Sequence, residues 1–148
     1  DVPGVASRYL RVSVQKMTAG FCWFCEGAMA TDLVPVGDLV PEEADEVALA
    51  DDLPLVRISC TRCGENVTND LGTVLVDEPV VAAFHEHHGV DLASPHLWHH
   101  ALLDRDRVHF ADDAETRACV HFEAGGETLR VEVDDDLAIV DTERTARE

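Results

Sequence analysis

The sequence predicts an α+β fold in which a ribbon of short β-strands with two cysteine knuckles is followed by two helices and a C-terminal antiparallel β-sheet. Three observations lead to this prediction: two C-x-x-C pairs separated by 34 residues, two proline-containing helix starts, and alternating apolar and polar residues in the last third. The 148 residues divide into an N-terminal helix (1–20), the four-cysteine ribbon with an acidic loop insertion (21–72), and a lobe of two helices and the sheet (73–148).

The first element is predicted to be a helix from Ala6 to Thr18. Leu10, Val14 and Met17 recur at helical spacing, and Ala19-Gly20 provides a stop just beyond. The segment Tyr9–Val14 also alternates apolar with polar residues, so a strand remains an alternative at this point.

The ribbon consists of two knuckles and the strands beside them. Phe21–Gly27 and Cys60–Glu65 are the knuckles, with strands predicted at Ala28–Val36 and Leu53–Ser59. Between the strands, the stretch from Pro41 to Asp52 is rich in like-charged carboxylates, which is typical of a solvated loop. We assign this insertion no function.

The helical part begins where acids and a proline mark a helix start. Pro79 opens a helix that runs to about His88 and stops at Gly89. Ser94-Pro95 repeats the start signal and predicts a second, shorter helix. The apolar residues of that second helix are Leu97, Trp98, Ala101 and Leu102.

The last third is predicted to form the antiparallel sheet. Its strands are expected at 107–110, 117–123 and 128–133, with a hairpin connection at Ala124–Glu127. A fourth strand is placed at Leu137–Val140, and the polar tail Thr142–Glu148 is expected to fray.

The four cysteines of the C-x-x-C pairs are the strongest chemical signal in the chain. A gap of two residues lets both thiolates of a pair point at one ion, so Cys22, Cys25, Cys60 and Cys63 are predicted to bind one zinc ion per chain. Gly27 and Gly64 are expected to adopt positive φ and free amide groups for the sulfurs. Four thiolates leave no open position for a substrate, which makes the site of this zinc ribbon structural.

Other roles for these cysteines remain open. Disulfides, a thioredoxin-like redox pair and iron in place of zinc are the alternatives. The fifth cysteine, Cys119, lies in a strand-like run and is predicted to be a small buried hydrophobe.

The histidines form two groups, His85-Glu86-His87-His88 and the later set His96, His99 and His100. The first group lacks the second histidine of a zincin motif, because the residue four after His85 is Gly89. A second metal or a pH switch is one reading, and a solvated polar helix face is the favoured one. No catalytic residue is predicted, no ligand-binding residue is assigned, and the chain is expected not to be an enzyme.

The charge balance limits the partners. Thirty acidic residues outnumber eleven basic ones, the net charge is −19, and Lys16 is the single lysine. Such a chain repels nucleic acid and anionic lipid, because both are bound through Lys and Arg. The carboxylate excess favours a salt-loving (halophilic) cytoplasm, where salt screens repulsion. No signal peptide or membrane span is evident, so a cytoplasmic location is expected, and a start at Asp1 indicates an excised fragment.

The order in which several segments occur along the chain can be compared with that of known protein families. They are Phe21–Gly27, Cys60–Gly64, Leu71–Leu75, Pro79–Asp91 with the nearby Leu97-Trp98, Gly126–Leu129 and Asp136–Val140. In this order the chain resembles the C-terminal zinc-ribbon domain of haloarchaeal ArsR-like winged-helix transcription regulators. The family's DNA-reading winged helix is absent from the chain, so the resemblance implies DNA binding only through that missing part.

The resemblance implies the regulatory (effector) or dimerisation half of a transcription regulator, with a homo-oligomer or a protein partner expected. Trp98, Phe84, Phe110 and Phe122 are candidate apolar anchors of a pocket or interface, with a plain core role favoured for each. The alternative is a stand-alone interaction module that docks through Trp23 and Phe24 of the first knuckle. A metal-dependent enzyme that uses the histidine clusters is the least favoured reading.

Overall fold

In the computed structural model, which describes residues 2–39, 53–92 and 105–147, three α-helices accompany two antiparallel β-sheets. The α+β class is therefore confirmed. Most of the acidic insertion and the helix predicted from Ser94, with Trp98, His96, His99 and His100, lie outside the described residues. Among the described helices, none has the length and apolar character needed to cross a membrane.

The elements follow one another in a simple order. They are α1 (Val2–Thr18), β1 (Met29–Pro35), β2 (Pro54–Cys60), β3 (Asn66–Asp70), α2 (Leu71–Leu75), α3 (Pro79–His87), β4 (Val108–Phe110), β5 (Arg117–Ala124), β6 (Glu127–Asp134) and β7 (Ile139–Ala146). The first sheet has the order β1-β2-β3 and the second the order β4-β5-β6-β7. Every neighbouring pair is antiparallel.

Local patterns identified most of these elements correctly. The segment Tyr9–Val14 is helical, and α1 begins earlier than predicted, at Val2. The hairpin between β5 and β6 turns at Gly125 and Gly126, whose φ angles of 55° and 79° lie in the left-handed region. Such a two-residue turn needs glycine-like residues because its twist must match that of the strands.

Two elements after the second knuckle were not anticipated. β3 is polar, yet its residues pair with β2 from Ser59↔Asn66 to Leu55↔Asp70. α2 follows at once, because the Asp70 carboxylate caps it by accepting from the amide (3.0 Å) and hydroxyl (2.6 Å) of Thr73. Neither element carries an apolar periodicity, so neither was visible in the sequence.

The prediction of a frayed C-terminal tail was wrong. β7 runs to Ala146 and pairs with β6 along the strand, with Ala146 opposite Glu127. Its side chains are mostly exposed, so the strand is held by backbone hydrogen bonds and by ion pairs such as Arg144 with Glu127. Exposure on both faces removes the alternation that marks a strand in a sequence.

One hydrophobic cluster joins both sheets and all three helices. The five residues of α2 are all buried, and α2 contacts α1, β2, β3 and β5. The largest buried side chains from the other elements include Ile58, Phe84, Phe122 and Leu129. A short buried helix therefore fixes the first sheet, with the cysteine knuckles beside it, against the second sheet.

We expect Asp70→Ala to lower the free energy of unfolding by about 1 kcal/mol, because α2 loses its cap. Asp70→Asn keeps a capping oxygen and serves as the matched control, with a smaller loss in denaturant titrations. Burial raises the pKa of Asp70 above 3.8, against hydrogen bonds from Thr73. Folding therefore favours the protonated form of Asp70: this protonation-linked part of the stability is complete below pH 3.8 and is lost as pH rises through the raised pKa, whereas the capping hydrogen bonds from Thr73 favour the carboxylate and oppose that loss. An equal loss in both variants would contradict the capping role.

Candidate metal centre

The two cysteine knuckles have the same backbone hydrogen bonds. In the first, the Cys22 amide donates to the carbonyl of Gly27 (2.8 Å) and the Glu26 amide to the carbonyl of Cys22 (3.0 Å). In the second, Cys60 donates to Glu65 (2.7 Å) and Gly64 to Cys60 (3.2 Å). Each C-x-x-C pair is thus a closed turn that aims its two sulfurs in one direction.

Strand pairing brings the two knuckles together. The first knuckle ends where β1 begins and the second starts where β2 ends, and Met29 lies opposite Cys60 in the β1–β2 register. The Thr61 amide also donates to the carbonyl of Ala28 at 2.9 Å. The antiparallel pairing of β1 with β2 therefore converts a separation of 34 residues in sequence into direct contact.

The four sulfurs form one compact group. The Cys22 and Cys63 sulfurs lie 3.8 Å apart, the Cys25 and Cys60 sulfurs 3.5 Å apart, and all four lie within 4.8 Å of one another. A disulfide requires about 2.05 Å between sulfurs, and all four cysteines are free. Metal–sulfur distances of about 2.3 Å in a tetrahedron place the sulfurs about 3.8 Å apart. The four cysteines thus lie close enough to hold one metal ion.

Backbone amides point at the sulfurs as well. Phe24 donates to the sulfur of Cys22 and Gly27 to that of Cys25, each at 3.4 Å. The amides of Arg62 and Cys63 both donate to the sulfur of Cys60 at 3.4 Å. Such hydrogen bonds orient thiolate ligands and stabilise their negative charge.

The thiols influence one another's ionisation strongly. The amide of Cys63 lowers the pKa of Cys60 to about 6, with further help from other donors and against burial. The pKa of Cys63 rises to about 12, since burial and the other three thiols outweigh the lowering effect of the Glu65 amide. One thiolate in the group thus opposes the ionisation of its neighbours. A cation at the centre would remove this conflict, as metal ions do when they displace thiol protons.

The prediction about the two glycines was right for Gly64 and wrong for Gly27. Gly64 has φ +77°, and the position equivalent to it in the first knuckle is Glu26, with φ 61°. Gly27 is needed for space: a Cβ there would lie 2.7 Å from the Cβ of Arg62 and 3.1 Å from the sulfur of Cys60. The first knuckle therefore accepts a strained glutamate where the second has a glycine.

The group lies at the surface on one side. Cys22 and Cys60 are buried, Cys25 is half-buried and Cys63 is exposed. The aromatic residues beside the first knuckle are exposed too: Phe24 keeps 72% of its surface, and its ring contacts that of Trp23 edge-on at 6.0 Å.

The histidines of α3 do not form the solvated face that was favoured. His85 is only 4% exposed, and its Nδ1 lies 2.8 Å from the carbonyl oxygen of Val81. Just beyond the helix, His88 lies with its Nε2 3.0 Å from a carboxylate oxygen of Glu127. Only His87 is exposed. His85 of α3 and His88 just after it therefore face the β5–β6 side, because the second sheet packs there.

The remaining candidates have core positions. Phe84 and Phe122 are buried and Phe110 is partly buried against the same cluster. Cys119 is fully buried, as predicted, and accepts a hydrogen bond from Arg130 at 3.0 Å. Burial raises the pKa of the Cys119 thiol.

A cavity that the sequence did not indicate lies between α1 and the end of α3. Its volume is about 420 Å³, and Arg11, Val76, Glu86 and Leu92 are among its lining residues. Arg11 is engaged with the Leu92 carbonyl (2.5 Å) and with Asp77 (2.6 Å). Binding sites for small molecules have volumes of this order. No sequence motif marks the cavity because its walls come from three separate segments.

Comparison with known proteins gives one match. A family model described as a domain of unknown function, DUF7351, matches residues 1–139. No curated protein and no solved structure matches the chain.

We expect the purified, reduced protein to contain one metal ion per chain and Cys60→Ser to contain none. The variant should lose several kcal/mol of unfolding free energy, because metal binding by such sites contributes on the order of 10 kcal/mol in peptides. Elemental analysis and thermal melting measure both effects. Cys119→Ser, which removes a cysteine outside the group, is the matched control and should retain the metal. The site would be refuted if the purified wild-type protein contained no metal, or if Cys60→Ser melted at the same temperature as wild type.

We expect Gly27→Ala to weaken metal binding, because the added methyl group must displace Arg62 and the sulfur of Cys60. Glu26→Gly should instead raise the free energy of unfolding by about 1 kcal/mol, since glycine adopts the left-handed conformation at this position without strain. A chelator competition assay and melting curves compare the two neighbours. Equal metal affinity in Gly27→Ala and wild type would show that this close approach is not required.

Proposed function

The chain belongs to the DUF7351 family, and we propose that it is the regulatory (effector) and dimerisation domain of a transcription regulator, built around a structural zinc ion. The observation that carries the structural metal is the closed group of four cysteine sulfurs between β1 and β2. All four ligand positions come from protein side chains, so the ion stabilises the fold and has no position for a substrate.

Zinc is the ion that suits this donor set best. It accepts four thiolates in tetrahedral geometry without redox chemistry, and amides donating to the sulfurs are compatible with it. Iron accepts the same geometry and is the alternative. The ion would be bound by Cys22, Cys25, Cys60 and Cys63. The amide of Cys63 lowers the pKa of Cys60 to about 6, which favours the thiolate form that a metal ion binds.

The role in transcription rests on the order of segments that resembles ArsR-like regulators. The net charge of −19 argues against DNA binding by these residues, so DNA would be bound by a separate winged-helix part of the same regulator. The cavity of about 420 Å³ beside Arg11 offers a place for a small effector. A signal could pass from it to α1, because Arg11 belongs to that helix.

A stand-alone docking module is the second candidate, and one observation favours it. Phe21, Trp23 and Phe24, all on or beside the first knuckle, are exposed. Exposed aromatic residues on a rigid turn are typical anchors of protein interfaces. In this reading the metal would hold the docking turn in shape.

We expect the tagged native gene product, in its own host, to be enriched at discrete genomic sites in chromatin immunoprecipitation. The isolated chain should not retard DNA in gel-shift assays at the salt concentration of the host. Cys60→Ser should abolish regulation of the nearby genes, whereas the control Cys119→Ser should not.

The same experiment separates the two candidates. A double variant, Trp23→Ser with Phe24→Ser, should keep genomic enrichment if the chain is the effector half of a regulator. Absence of enrichment for the wild-type gene product, or DNA binding by the isolated chain, would refute the regulatory proposal. Loss of a co-purifying protein in the double variant, without any genomic enrichment of wild type, would support the docking module instead.

A further inference from the structure

Helix α1 has two faces with different roles. Its inner face packs on the protein through Ser7, Val14 and Met17, which are buried. Arg11 also turns inward to Asp77. The helix is thus anchored along one side, and its opposite side is left to solvent.

The outer side carries an apolar stripe. We call Val2, Val5, Tyr9 and Val12 the outer stripe; their side chains remain 81%, 64%, 62% and 62% exposed. Successive spacings of three, four and three residues place them on one face, as at the a and d positions of a coiled coil. In a protein with 28% charged residues, an uncharged stripe over three helical turns marks an interaction surface.

Charge explains why a second copy of the chain fits this surface. α1 contains none of the thirty acidic residues and three of the eleven basic ones. Two of these cations are already paired within the chain, Arg11 with Asp77 and Lys16 with Glu26. Elsewhere, excess carboxylates make two copies repel each other. The stripe is therefore a surface where two copies can meet without placing carboxylates together.

The spacing also fits a two-fold contact. The intervals three, four and three read the same in both directions, so two antiparallel copies of α1 bring their stripes into register. Val2 of one copy then lies level with Val12 of the other, and Val5 with Tyr9. Lys16, the next residue in the a and d pattern, falls beyond the overlap, whereas a parallel pair would bring two copies of it together.

We propose that the outer stripe binds the outer stripe of a second copy of this chain, with the two α1 helices antiparallel about a two-fold axis. This inference rests on the dimerisation role in the proposed function and assigns that dimerisation to the outer stripe of α1. The overlap is only about 15 Å long, so the dimer is weak, with a Kd in the micromolar range.

Sedimentation equilibrium of the metal-loaded chain in strong salt tests the inference over a range of concentrations. Wild type should pass from monomer to dimer, and Val5→Glu should raise the Kd on the order of 100-fold, because a carboxylate is then buried at the contact. Gln15→Glu, on the same helix but beyond the overlap, is the matched control and should change the Kd little. Metal content should be unchanged in both, and so should the melting temperature at concentrations where wild type is monomeric, since these side chains lie outside the core.

A mixing experiment tests the orientation. Val5→Glu and Tyr9→Lys should each be monomeric alone and should form a heterodimer when mixed, because the antiparallel pair places these two positions together. A heterodimer formed instead by Val5→Glu with Val5→Lys would overturn the antiparallel arrangement.

The dimer inference and the regulatory proposal can be refuted separately. A wild-type chain that stays monomeric at every concentration, or a dimer that persists in Val5→Glu, would overturn the inference. Both results would leave genomic enrichment of the native gene product untouched. Loss of that enrichment with an intact stripe-dependent dimer would refute the regulatory proposal alone.

Discussion

The first sheet is organised around the close approach of four cysteine sulfurs, which repel one another once they ionise to thiolates. The sulfurs lie 3.5–3.8 Å apart in facing pairs, and ionisation of one opposes ionisation of the next: the pKa of Cys60 falls to about 6 while that of Cys63 rises to about 12. Amide donors stabilise some of this charge, and a bound cation would neutralise the rest. The four cysteines are thus close enough to hold one metal ion, whose charge would offset that of the thiolates.

This constraint reaches the rest of the molecule through β2 and α2. β2 ends in Cys60 and pairs with both β1 and β3, so the four-cysteine group and the first sheet form one unit. α2 follows β3 without a linker and is buried between that unit and β5. A cysteine knuckle at the surface is thereby coupled mechanically to the core of the second sheet. The arrangement explains how a chain with so many like charges keeps one continuous hydrophobic core.

The strong negative charge shapes the remaining surface. Thirty acidic residues outnumber eleven basic ones and give a net charge of −19, so the exposed apolar groups stand out against a negatively charged surface. Two sets are prominent in the described residues: the outer stripe of α1 and the aromatic residues beside the first knuckle. Apolar contact is the interaction that strong salt leaves intact, whereas long-range charge attraction is screened. A protein of this composition is thus suited to association through small apolar surfaces.

The sequence by itself determined the parts whose signal is local: the cluster of four cysteines, helix α1, and the β5–β6 hairpin with its two glycines. Only the tertiary structure decided β3, β7, the burial of His85 and the left-handed turn at Glu26. The physical reason is common to these cases. A polar strand such as β3 or β7 is held by backbone hydrogen bonds to a distant neighbour, and His85 is buried because the second sheet packs over it. No pattern of adjacent side chains records a partner that arrives only when the chain folds.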